Sequence, residues 1–132
     1  MAMRLTNAAA SAAADSTGLR AYIGSDPKII FYEGTVNANA ELDPAGDALA
    51  TVTLASFGVA SNGAIASSGG NASAGDSGTA GCWALFKSDG TTKVADGSVA
   101  ETSGGDINFD ETAWLAGGTV SVGTLTLTIP PA

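Results

Sequence analysis

Residues 75–78, Gly-Asp-Ser-Gly, carry the letters that surround the nucleophile of serine proteases, and they are the first candidate for chemistry in the chain. That chemistry needs an imidazole to take the hydroxyl proton. The chain has no histidine, so a Ser-His-Asp mechanism is excluded and the four residues read as part of a loop of small side chains. Zinc centres of the usual kind need clustered cysteine or histidine, and Cys82 is the single cysteine.

Asp106, Asn108 and Asp110 would share one face of a strand, about 7 Å apart at successive positions, and could lend oxygens to a calcium ion. Alternating with Ile107 and Phe109, they read instead as the solvated face of an amphipathic strand. A glycosidase pair of carboxylates is set aside because no cluster of pocket-forming aromatics accompanies the acids. Cys82, within Gly81-Cys-Trp-Ala-Leu-Phe86, reads as a small buried hydrophobe rather than a reactive thiol. Trp114 and Tyr32 are candidates for a sugar-stacking platform, weighed against the default that a chain with few large residues buries them. Asn71-Ala-Ser73 fits a glycosylation acceptor but has no secretory context. No catalytic residue, metal site or cofactor is assigned.

The framework for any site is light. Apolar residues make up 45% of the 132, but many are alanine, and the aromatics are limited to Tyr22, Phe31, Tyr32, Phe57, Trp83, Phe86, Phe109 and Trp114. Eighteen glycines with abundant Ser, Thr and Ala predict short strands and tight turns around one thin core, in a single domain. The net charge of −8, with five scattered basic residues against thirteen acidic ones, argues against nucleic acid and anionic membranes as partners. One cysteine allows no intrachain disulfide, residues 8–14 are too weakly hydrophobic for an export signal, and no later stretch could span a bilayer.

Residues 5–15 combine helix formers with a cap at Thr6 or Asn7, ended by Gly18. Leu19–Ile23 and Ile29–Glu33 are predicted to pair as strands across the turn Gly24-Ser-Asp-Pro27. Residues 34–47 read as loop. Ala48–Ser56 alternates, with Val52 and Leu54 on one face and Thr51 and Thr53 on the other. A turn is expected at Ser61-Asn-Gly63, and 67–78 is expected to be a mobile loop or an extended edge segment. Thr79–Lys87 is the expected central strand, apolar on both faces. Ser88-Asp-Gly-Thr91 turns it into Thr92–Val99 as a hairpin, Asp106–Asp110 is a short strand, and Ala116-Gly-Gly118 leads into the last one.

That last strand, Thr119–Ile129, contains a phase flip. Val120 and Val122 sit on even positions, whereas Leu125, Leu127 and Ile129 sit on odd ones, which calls for a bulge or a crossing between sheets at Gly123. The whole pattern predicts an all-β, antiparallel β-sandwich of jelly-roll or immunoglobulin-like type with a short N-terminal helix: a helical arm at 1–18 and a sandwich domain at 19–132.

The order of these pieces resembles a family of small virion structural proteins of tailed bacteriophages, of the head decoration (cement) type. The resemblance rests on a Leu5-Thr-Asn-Ala8 helix leading to Leu19-Arg-Ala-Tyr-Ile-Gly-Ser-Asp-Pro27, then Leu49-Ala-Thr-Val-Thr-Leu54, Gly78-Thr-Ala-Gly-Cys-Trp83, Ser88-Asp-Gly-Thr-Thr92, Asp96-Gly-Ser-Val99, Asp106-Ile-Asn-Phe109 and the run from Gly117 to Pro130. It spans nearly the whole chain, and Lys28–Glu33 departs from the pattern. The resemblance implies a viral jelly roll without enzymatic activity or cofactor. It also implies the major capsid protein and further copies of the chain (a dimer or trimer) as partners, and a place on the capsid surface after synthesis in the host cytoplasm. The expected contact residues are Arg4, Leu5 and Asp15 in the arm and Val120, Val122, Leu125 and Leu127 in the terminal strand. The rival expectation is a tail or fibre component that binds host glycans through Trp114 or Tyr32.

Overall fold

The computed structural model describes residues 4–14, 18–35, 37–39, 41–58, 64–102 and 107–128. In chain order its elements are β1 (Arg4–Leu5), α1 (Asn7–Ala14), α2 (Leu19–Ile23), β2 (Lys28–Glu33), β3 (Ala48–Thr53), β4 (Ala64–Ser67), β5 (Gly70–Ser73), β6 (Gly78–Phe86), β7 (Lys93–Glu101), β8 (Ile107–Phe109), β9 (Ala113–Trp114), β10 (Thr119–Val122) and β11 (Leu125–Thr128). The chain is mostly antiparallel β-sheet, as an all-β sandwich requires.

The larger sheet has the strand order β1-β7-β6-β2-β3, with β8 joined to β7 and β9 to the start of β6. The β7–β8 pair is parallel, and the other pairings are antiparallel. β6 is central, as its two apolar faces predict. Trp83 and Leu85 point into the main core with Ile29, Phe31 and Val52, while Cys82, Ala84 and Phe86 pack with Ile30 and Tyr32 on the opposite face. Burial of each large apolar side chain contributes about 1.5–3 kcal/mol, so a strand buried on both sides anchors the domain. The turn at 88–91 joins β6 and β7 as expected: Asp89 Oδ1 accepts the amides of Thr91 and Thr92 at 2.9 Å, and Thr92 Oγ1 donates to Asp89 Oδ2 at 2.6 Å.

Two small pairs, β5–β10 and β4–β11, cover the main face. They form one bent ribbon. The run 119–128 pairs first with β5 and then with β4, changing partner across Gly123 and Thr124, which is where the phase flip calls for a crossing. Val120, Val122, Leu125 and Ile65 are thereby all buried in the main core. The opposing corner is sharper. Gly69 has φ +95°, and a Cβ there would collide with the carbonyls of Val122 and Gly123. Part of the small-residue stretch 67–78 is therefore β5, and its lack of side chains has a packing reason: a Cβ at Gly70 would strike the carbonyl of Thr53 in β3.

Leu19–Ile23 is a helix and not the predicted strand. Leu19 and Ile23 are both buried, and a spacing of four suits one helical face as well as it suits alternate strand positions. The glycines on either side, Gly18 and Gly24, both at φ +78°, close the segment off from strand pairing. β2 pairs instead with β3 and β6. α1 begins as expected, with Thr6 Oγ1 accepting the amide of Ala9 at 3.2 Å, and Ala9 is fully buried in the main core. The expected turn at 61–63 lies outside the described residues.

Candidate docking site

Several groups with titratable chemistry are built into the fold. Arg4 and Lys93 both reach Asp96, whose carboxylate is fully buried. Lys93 Nζ also donates to the carbonyl of Leu42 at 2.5 Å, and Arg4 donates to the carbonyls of Asn37 and Ala38. The knot pins β1 and the 37–42 loop onto β7. Burial, with Asp96 adding to it, pushes the Cys82 thiol up to about 11, and burial with Asp43 and Cys82 pushes the Tyr32 hydroxyl up to about 12. Ser77 of the Gly75–Gly78 loop is a turn pin, since its hydroxyl accepts the amide of Ala116 at 2.9 Å.

The expected contact residues divide. Arg4 and Leu5 form β1 against β7, with Arg4 held in the knot. Val120, Val122 and Leu125 point into the chain's own core. Leu127 pairs through its backbone with Ile65. Asp15 lies outside the described residues, as does Asp106 of the calcium candidate; Asn108 and Asp110 are exposed. Of the two sugar-platform candidates, Tyr32 is buried and Trp114 is half-buried.

What stays accessible is the other edge of the terminal strand. Gly117, at φ +88°, ends the turn 115–118 as a bulge: its amide donates to the carbonyl of Ala74, and the amide of Ala74 donates to the carbonyl of Gly118. Hydrogen bonding alternates along an antiparallel pair. Val120 therefore turns its backbone groups toward Ala72, and Thr119 and Ser121 turn theirs away from β5. Among the described residues β10 has no strand on that outer edge.

A groove follows the edge. A hollow of about 430 Å³ lies between Phe109–Leu115 and Gly118–Ser121, and a second of about 350 Å³ continues between Ile107–Phe109 and Ser121–Thr126. The two share Phe109 and Ser121. Phe109 and Trp114 line the groove, and with the fully buried Phe31 they form an edge-to-face trio at 5.1–5.4 Å between ring centres. Trp114 Nε1 donates to the carbonyl of Glu111 at 2.8 Å. Leu115, 76% exposed, and the exposed acids Asp110 and Glu111 also line the groove, the two acids without an ion pair among the described residues.

Sequence reasoning picked the valines of β10 and missed Thr119 and Ser121, which alternate with them. A signal was present, because no charged residue occurs from Leu115 to the end of a chain carrying −8. Natural edge strands are usually guarded by charge, and this one is not. No family model, curated protein or solved structure matches the chain.

Proposed function

We propose that this chain is a non-enzymatic structural protein of a tailed-phage virion, one that decorates and cements the capsid by docking on the major capsid protein beside further copies of itself. The order of motifs along the sequence motivates the reading. The observation that carries it is where the titratable groups lie: Arg4, Lys93 and Asp96 tie segments together, Asp89 closes a turn, and Cys82 and Tyr32 are buried with their protons held. With these groups engaged in the fold, the outer edge of β10 and an acidic surface are available for recognition. An acidic surface favours a basic partner and disfavours packaged DNA.

The test is co-sedimentation with heads assembled from the major capsid protein of the same genome but lacking this chain. Saturable binding in simple proportion to capsid subunits supports cementing. No binding to heads, or a stoichiometry matching the tail alone, overturns it. Trp114 in an open groove favours a second reading, a tail or fibre component that stacks a host sugar. A glycan-array signal abolished by Trp114→Ala would support that reading.

A further inference from the structure

We infer that the groove along the outer edge of β10 accepts an extended, lysine- or arginine-bearing segment of another protein by strand addition. Three features converge on this occupant. The backbone groups of Thr119 and Ser121 point off a strand edge that β5 leaves open, and a row of such groups pairs with an incoming extended chain. Phe109, Trp114 and Leu115 offer apolar surface along the same groove, where alternate side chains of that segment would settle. The carboxylates of Asp110 and Glu111 have no cation of their own among the described residues, so a basic side chain on the segment completes the charge. A second copy of the chain, also at −8, meets repulsion where a basic segment meets attraction.

The virion reading bears only on who the partner is. The strand-addition site stands for any protein that presents such a segment, and the two fail separately.

The probe is a synthetic heptapeptide of alternating lysine and valine, titrated into the full chain and followed by amide NMR shifts. Controls are an alternating glutamate and valine peptide and a lysine and valine peptide N-methylated at alternate amides. We expect saturable shifts centred on Thr119–Ser121 with the first peptide, and none with either control. Ser121→Pro removes the outward N–H at an edge position where proline is tolerated, and it should weaken binding roughly tenfold or more while far-UV circular dichroism stays unchanged. The double variant Asp110→Asn, Glu111→Gln should weaken binding by salt-sensitive attraction alone. If that variant or Ser121→Pro does not fold, the N-methylated peptide still decides between strand addition and mere charge attraction. Equal binding of the lysine and glutamate peptides, or of the N-methylated peptide, overturns the inference. So does a concentration-dependent dimer of the peptide-free chain that Ser121→Pro abolishes, because the occupant would then be a second copy.

Discussion

Arg4 grips Asp96 from 92 residues away, with Nε to Oδ1 at 2.9 Å and Nη2 to Oδ2 at 2.7 Å, and so fastens the first described strand to the middle of β7. Lys93 Nζ shares Oδ2 at 2.8 Å. Two cations face one fully buried carboxylate, and the carbonyls of Asn37, Ala38 and Leu42 accept three further N–H groups. A cluster of this kind is costly to break from inside, since removing the anion strands a buried ammonium. The relation also bears on the arm: deleting residues 1–17 removes Arg4 and the buried Ala9, and should destabilise the fold itself.

Asp96→Ala should therefore destabilise the protein by about 3–5 kcal/mol. Arg4→Ala should cost less, because the Arg4 side chain is 28% exposed and Lys93 still neutralises Asp96 in its absence. Urea unfolding midpoints compare the two, and equal losses would show that Lys93 does not depend on Asp96.

The two ribbon corners should respond unequally to alanine. Gly123 stands at the phase flip, yet a Cβ there meets nothing within 4 Å and its φ is not positive, so Gly123→Ala should stay within about 0.5 kcal/mol. Gly69→Ala combines a positive φ with a collision against the Val122 and Gly123 carbonyls, and should cost about 2–4 kcal/mol. Thermal melts of both variants check the order.

Stability should fall on the alkaline side. The Cys82 thiol is raised from 9.0 to about 11 and the Tyr32 hydroxyl from 10.0 to about 12, each chiefly by burial. Both folded-state values lie above the unfolded ones, so their contribution is complete below pH 9 and is lost as the pH climbs through 9 to about 12. Cys82→Ala should flatten the first part of that fall. In the native protein near pH 8 a thiol reagent should react with Cys82 only at the rate of unfolding.

On the acid side the 88–91 turn has its own response. Hydrogen bonds from Thr92 and Thr91 hold the Asp89 carboxylate well below its usual range. The depressed value means that the contribution is complete above the ordinary carboxylate pKa and is lost as the pH falls toward the folded one. Amide exchange at Thr91 and Thr92 should accelerate only at strongly acid pH in the parent protein. In Asp89→Ala it should be fast throughout, and slow exchange in that variant would place the turn's stability elsewhere.

Local periodicity alone identified the strands whose side chains divide cleanly between two environments. β3 alternates, β6 is apolar on both faces, and the terminal run reverses its phase at Gly123; all three read directly because a strand's side chains turn over at every residue. Composition pointed to a chain built mostly of strands. Tertiary structure decided what depends on partners far along the chain. Leu19–Ile23 fits either period by itself and becomes a helix between two glycines; Asp96 carries no local mark of burial, and Arg4 and Lys93 meet it in the fold. The docking edge depended on the fold in the same way. The direction in which Thr119 and Ser121 aim their backbone groups is set by β5 on the other side, and the aromatic surface of the groove is assembled from β8 and β9. Hydrogen-bond direction and edge-to-face packing are relations between segments, so no single stretch of sequence carries them.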